Sequence, residues 1–202
     1  MTTIGVLALQ GDFAEHASVL RRLGSEAQEV RRPEELSGLD GLIVPGGEST
    51  TVCRLMTEYG LAEPLRRLAQ DSFPVWGTCA GMIVLARQAS DLDWPTLGAL
   101  DIAVRRNAFG RQVDSFETDL PVPSLGSAPF HAVFIRAPAV EEVGDDVEVL
   151  ATLEDGQVVA VRQGNALATA FHPELTADDR FHRYFLELVR ARKAEADSDA
   201  RR

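Results

Sequence analysis

Three side chains in this sequence could carry chemistry together: Cys79, His172 and Glu174. Cys79 sits in Gly77-Thr78-Cys79-Ala80-Gly81, between the apolar run Phe73 to Trp76 and the helix-forming stretch Met82 to Arg87. This G-x-C-x-G turn is the cysteine counterpart of the nucleophile elbow. A strand that turns into a helix within one residue strains the backbone at the nucleophile. Side chains on its flanks would clash, so glycine stands there. The turn holds the sulfur clear of the sheet edge, over a helix N-terminus whose free N–H groups favour a thiolate. A buried structural cysteine is the alternative, and the glycine frame argues for the nucleophile.

A thiol nucleophile needs a base that takes its proton and later protonates the leaving group. Four histidines are available. His16 and His182 fall in helical stretches and are expected to be surface or packing residues, and His131 opens a strand without an evident role. His172 stands at a strand end, where α/β sheets place function. Pro173 is expected to hold it extended, which would turn His172 and Glu174 to the same side. Glu174 could then accept a hydrogen bond from the imidazole and fix its tautomer, as the acid of a triad does.

The elements that must position these groups follow from the pattern. Ile4 to Leu9 is an apolar strand, and Gln10-Gly11-Asp12 ends it, with Asp12 the expected cap of a helix to about Leu23. A weaker strand spans about Ala27 to Arg31, and Gly41 to Val44 is the next buried one. Pro45-Gly46-Gly47-Glu48-Ser49-Thr50-Thr51 then opens a helix ending near Gly60, with Ser49 or Thr50 as its expected cap. This second strand–glycine–helix turn could present N–H groups to an anion or a developing oxyanion, or serve only as a turn. No Lys follows as in a phosphate-binding loop. A helix over Leu61 to Asp71 leads to the Cys79 strand. Such alternation predicts a parallel sheet, with Gln10, Gly46-Gly47 and Cys79 on one rim.

After Arg87 the texture turns to β: Leu100 to Val104, Gln112 to Glu117, Ala132 to Ile135, Val147 to Leu153 and Val158 to Val161. The turns Glu154-Asp155-Gly156 and Gln163-Gly164-Asn165 carry hairpin signals. These strands are expected to form an antiparallel extension on one sheet edge. Ala166 to Phe171 is the last strand. The final helix, about Ala177 to Lys193, places Phe181, Tyr184, Phe185, Leu188 and Val189 on one stripe, as core packing requires. One domain over 1–193 with a disordered tail over 194–202 is expected.

The net charge of -11 disfavours nucleic acid and anionic membranes as partners. The N-terminus enters a strand directly, so no signal peptide is expected, nor any membrane span. Cys53 and Cys79 lie far apart without C-x-x-C spacing, which argues against a disulfide framework or structural zinc and fits a reducing cytoplasm. No metal or other cofactor is expected.

Elbow, Gly-Gly turn and His-x-Glu, in this order, resemble a class I glutamine amidotransferase. Val6-Leu7-Ala8-Leu9-Gln10-Gly11, Pro45 to Thr51, Trp76 to Gly81, Arg106-Asn107-Ala108-Phe109-Gly110-Arg111-Gln112 and Phe171 to Leu175 together resemble one family over Ile4 to about Val189. It is the glutaminase subunit of the ribose-5-phosphate-dependent pyridoxal 5'-phosphate synthase. The Arg106 to Gln112 segment is the most discriminating part. The resemblance implies a three-layer, flavodoxin-like α/β fold. It implies that Cys79 attacks the side-chain amide of L-glutamine, with His172 as base and acid and Glu174 as orienter. N–H groups near Gly47 and Ala80 would form the oxyanion hole, and Gly47, Glu48, Ser49, Arg106, Ile135 and Arg136 would hold glutamine. Ammonia would pass to a separate synthase subunit in a heteromeric complex. By residue type alone, Arg106 and Arg136 could equally be surface arginines.

Three other readings compete. A glutaminase subunit of a histidine-pathway synthase shares the triad, and Arg106 to Gln112 argues against it. A catalytically dead interaction subunit is opposed by the intact Cys79, His172 and Glu174. A cysteine peptidase or general hydrolase on the same fold would separate on a panel of glutamine, asparagine and peptides.

Overall fold

The computed structural model describes residues 2–106 and 115–199. Its first half is β1 (Thr3–Leu7), α1 (Phe13–Arg22), β2 (Glu26–Val30), β3 (Gly41–Val44), α2 (Ser49–Glu58), α3 (Ala62–Gln70), β4 (Val75–Thr78) and α4 (Ala80–Leu85). Its second half is β5 (Ala86–Ala89), β6 (Leu100–Arg105), β7 (Ser115–Leu120), β8 (Phe130–Ile135), β9 (Ala139–Val143), β10 (Glu148–Thr152), β11 (Val158–Gln163), β12 (Ala166–Thr169) and α5 (Arg180–Asp199).

Short, wholly buried apolar strands make the centre. β3 and β4 are buried at every residue, as strands covered on both faces must be. The main sheet has the order β10-β11-β12-β4-β3-β1-β2. From β12 to β2 all pairings are parallel, and β10 and β11 add antiparallel strands at one edge. The β1→β2 and β3→β4 crossovers run in opposite directions across the sheet. Right-handed connections therefore put α1 on one face and α2 and α3 on the other. Trp76 on β4 packs its ring against Phe181 and Phe185 of α5 and His16 of α1, so these two helices share a layer. The expected α/β class, mostly parallel sheet and antiparallel strands are all present.

Several expectations are corrected. Among the described residues, only β10 and β11 extend the main sheet; β5, β6 and β9 form a separate three-stranded sheet, and β7 with β8 a two-stranded ribbon. The helix after Cys79 stops at Leu85 and the chain turns at once into β5, whose Arg87 pairs with Asp101 and Glu142. Strand β9 carried a run of glutamates, Glu141-Glu142, that hid its apolar side. Helix α5 continues to Asp199, so residues 194–199 are helical; Ala194, Glu195 and Ala196 are good helix formers that simply extend it. Its expected apolar stripe is in the core, with Phe181, Phe185, Leu188 and Val189 buried. Residues 107–114 lie outside the described residues, and with them all of the discriminating segment except Arg106. No helix among the described residues is long and apolar enough to cross a membrane.

Candidate active site

Cys79 occupies the link between β4 and α4 with φ 48° and ψ -106°, a conformation an L residue holds only when its surroundings impose it. Those surroundings are specific. The Cys79 N–H donates to Thr169 O of neighbouring β12 at 2.8 Å. A Cβ on Gly81 would fall 1.9 Å from Val44 O, and one on Gly77 2.4 Å from Gly81. Both glycines of the motif are thus needed for close approach of β3, β4 and α4. The sulfur is 3.6 Å from Ile135 O, at the end of β8.

Parallel pairing of β12 with β4 delivers the base. Thr169 pairs with Thr78, so the chain leaving β12 reaches His172 beside the residue that follows β4. The His172 N–H donates to Val133 O at 2.8 Å, which anchors it to β8 as well. Its Nδ1 is 2.7 Å from Glu174 Oε1, and both side chains are buried. This contact was anticipated from an extended chain, but the geometry differs. Pro173–Leu175 form a 3₁₀ turn and His172 has ψ 84°, so the turn rather than strand alternation brings Glu174 back to the ring. With Nδ1 committed to Glu174, Nε2 is the nitrogen left to serve the thiol. Burial disfavours the imidazolium, but Cys79 and Glu174 favour it more strongly and raise His172 to about 10. Burial also raises the Glu174 carboxyl, against the pull of His172.

The second glycine turn closes the other side. Glu48, not Ser49 or Thr50, caps α2, accepting from the Thr50 and Thr51 N–H groups at 3.0 and 2.8 Å. Glu48 also meets Arg106 Nη2 at 3.1 Å, while Arg106 Nη1 donates to Asp91 O. The Gln10 side chain crosses to this loop and accepts from the Glu48 N–H at 2.6 Å. Gly46 O accepts from the Asp12 N–H at 3.2 Å. Asp12, expected as the cap of α1, makes no capping bond with its side chain. Its Oδ2 instead lies 3.4 Å from His172 Nδ1.

A cavity of ≈ 370 Å³ is lined by Gly47, Glu48, Ser49, Cys79, Ala80, Arg106, Ile135, Arg136 and His172, all anticipated from the sequence, with Gln10, Gly11, Asp12 and Ile83 beside them. Glu174 stands behind His172. Asp12, His172 and Glu174 each place one potential ligand atom within 4.8 Å of the others. The short His172–Glu174 bond makes that group a proton-holding pair in the first place. Asp12 and His16 are what sequence reasoning missed. His16, expected as a surface or packing residue, does pack, fully buried and edge-on to Trp76, but it is also hydrogen-bonded to His182 and Thr78 behind His172 and Glu174, which its place in the sequence does not suggest. His131, by contrast, is exposed between Asp119 and Glu117 on the β7–β8 ribbon, far in role from the cavity.

Comparison with known proteins decides the family. The SNO glutamine amidotransferase family matches residues 6–191. The chain belongs to this family. It is 58% identical over 189 residues to a pyridoxal 5'-phosphate synthase subunit PdxT of Herpetosiphon aurantiacus, covering 92% of this chain and 100% of that one. It is 61% identical over 189 residues to the PdxT subunit of Dehalococcoides mccartyi, covering 93% of this chain and 97% of that one. A crystal structure described as a glutamine amidotransferase superposes with TM-score 0.87 at 55% identity, covering 92% of this chain and 98% of that one. As a SNO-family amidotransferase fold, the chain carries its cavity at the carboxyl ends of β1, β3 and β4, where an open parallel sheet binds ligands.

Proposed function

We propose that this chain hydrolyses L-glutamine to L-glutamate and ammonia at Cys79, and supplies the ammonia to a separate synthase subunit that makes pyridoxal 5'-phosphate, the assembly for which its relatives are named. The observation that carries this reading is the meeting, in one cavity, of a cysteine in a strained strand–helix turn with a buried His–Glu pair from the adjacent strand.

The reaction runs in two halves. The Cys79 sulfur attacks the side-chain amide carbon, and its proton resides on His172. A tetrahedral oxyanion forms, for which the Gly47 and Ala80 N–H groups are the donors. His172 protonates the amide nitrogen, the C–N bond breaks, and ammonia leaves a thioester on Cys79. Water then adds with His172 as base, and the C–S bond breaks to release glutamate. Glu174 holds His172 with Nδ1 protonated and stabilises the imidazolium, whose elevation to about 10 keeps a proton ready for the leaving group. Arg106 and Arg136 suit the substrate α-carboxylate, Glu48 its ammonium, and Gly47, Ser49 and Ile135 complete the pocket wall. Two free cysteines, one of them a nucleophile, suit a reducing cytoplasm.

The test is ammonia release from glutamine, with and without the synthase subunit, beside asparagine and peptides as controls. Release from glutamine alone is the expected result. Hydrolysis of peptides, or no release in the complex, overturns the reading.

A further inference from the structure

Behind the triad lies a second, fully buried polar chain that the chemistry above does not use. Glu174 Oε1 is bonded to His172, but among the described residues Oε2 has no well-aligned hydrogen bond. The group facing it is His16 Nε2, 3.3 Å away, and both side chains are fully buried. The same Nε2 is 3.1 Å from Thr78 Oγ1, and Thr78 Oγ1 accepts from the Gly46 N–H at 3.0 Å. On the far side, His16 Nδ1 is 3.0 Å from His182 Nε2. Two helices, α1 and α5, thus meet the elbow strand and the His172 turn at one imidazole.

We propose that His16 is a positioning residue for the glutaminase reaction: as a neutral imidazole it donates its Nε2–H to Thr78 Oγ1, keeps the same N–H edge 3.3 Å from Glu174 Oε2 and so holds that carboxylate against His172, while His182 fixes its tautomer. The inference rests on the triad reading given above.

The tautomer follows from the partners. Were Nε2 unprotonated, a lone pair would face a carboxylate oxygen at 3.3 Å, and His182 Nδ1 would be left as a buried N–H without an acceptor. With Nε2 protonated, Nδ1 accepts from the His182 Nε2–H, and His182 Nδ1 is left only as a bare acceptor, which burial penalises less. Burial holds His16 well below its ordinary value, assisted by the charges of His182 and His172. Burial lowers His182 to about 3, with Asp179 opposing and Arg22 reinforcing that shift. Glu174 and Asp12 complete the charged groups around this cluster. Neutral donors are what such a site requires, since a second cation would compete with His172 for the same carboxylate. Through Thr78 the same imidazole reaches Gly46, so His16 joins the acid of the triad to the loop that carries the oxyanion donor Gly47.

The experiment compares His16→Phe and His16→Gln in the complex with the synthase subunit. Gln can present an amide N–H near the position of Nε2; Phe fills the space without a donor. His16→Phe is expected to lower kcat about tenfold or more with KM changed less than about twofold, and His16→Gln to recover most of the loss. In a Glu174→Ala background His16→Phe should add less than about twofold, because the carboxylate it serves is gone. A kcat within about twofold of wild type, or an equal loss with and without Glu174, overturns the proposal. Nitrogen-15 spectra of the wild-type chain give a readout free of turnover and of variant folding. They should show His16 protonated on Nε2 and bare on Nδ1 from pH 6 to 9, and the reverse tautomer overturns the proposal. Loss of ammonia release in the wild-type complex would strike the glutaminase reading, whereas the spectra still decide the His16 tautomer and the Glu174→Ala background decides its link to the carboxylate.

Discussion

The Cε1 edge of the His172 ring closes on Gly46, so that a Cβ there would sit 2.4 Å from His172 Cε1 and 2.9 Å from Nδ1. Gly46 is therefore the floor on which His172, the proposed base, rests. Gly46→Ala should displace the imidazole from Glu174 and cut kcat at least about 100-fold, since a misplacement of about 1 Å costs that much. The fold should survive, because the clash is with a cavity-lining ring and not with the sheet. Steady-state ammonia release and circular dichroism check both; a variant with kcat near wild type would mean the ring has room the structure does not show.

The two cysteines should differ sharply in reactivity. Cys53 lies inside α2, and burial pushes its thiol up to about 11, with Arg106 only partly opposing. It stays protonated and enclosed at neutral pH. An electrophilic glutamine analogue should label Cys79 and leave Cys53 untouched, which mass spectrometry of digested protein reads directly. Cys79→Ala should fold and release no ammonia, whereas Cys53→Ala should keep kcat within about twofold.

Two carboxylates face His172 Nδ1, Glu174 at 2.7 Å and Asp12 at 3.4 Å. Glu174→Gln should therefore lower kcat more than it raises KM, without abolishing turnover, because Asp12 can take over part of the orienting role. Asp12→Asn alone should cost less than about threefold, and the double variant more than the product of the two. Kinetics of all three variants measure that coupling; strictly multiplicative effects would show that Asp12 does not share the task.

The residues at the turns were legible in the sequence because glycine leaves a mark. Gly77, Gly81 and Gly46-Gly47 report close backbone approach directly, and with them the elbow, the second loop and the rim could be placed. What escaped was whatever depends on contact between distant segments. His16 stands one residue before Ala17 on a helix whose buried face also includes Leu20, and nothing local says that His182, more than 160 residues away, will complete its bonding. Asp12 has the residue type and position of a helix cap, and only the arrival of His172 from β12 explains why its side chain turns elsewhere. Strand β5 was invisible because Ala86-Arg87-Gln88-Ala89 has helical propensity, and its pairing with β6 overrides that preference.

Stability should fall on both sides of neutrality, for opposite reasons. His16 and His182 have lowered values in the folded chain, so the unfolded chain binds more protons below its ordinary histidine value of about 6.5 and stability is lost as pH falls from there. His172 is raised to about 10, so its contribution is present below about 6.5 and is lost as pH rises toward 10. Urea unfolding between pH 4 and 9 should peak near neutrality. His182→Phe should flatten the acid limb by up to about 1.4 kcal/mol per pH unit, the slope of one proton. An unchanged acid limb would show that His182 takes up no proton on unfolding.

The last prediction concerns the partner. An uncoupled glutaminase would release ammonia that nothing consumes, and the loop bearing Gly47 rests on a segment that lines the open cavity. It is held to the Gln10-Gly11-Asp12 segment by two bonds, Glu48 N–H to Gln10 Oε1 at 2.6 Å and Asp12 N–H to Gly46 O at 3.2 Å. Gln10 and Asp12 line the open cavity, so a subunit pressing on that segment acts on the Gly46–Glu48 backbone directly. Glycine peptides rotate at low steric cost, and an oxyanion donor turned away costs roughly 10²–10³ in turnover. Hydrolysis by the isolated chain should be weak and rise strongly when the synthase subunit is added. Gln10→Ala should blunt that rise, because the strut between the two loops is gone. Cys79→Ala should still bind the synthase subunit, which should still make product from added ammonium salt. Full activity in the isolated chain, unchanged by its partner, would exclude the switch and leave the triad intact.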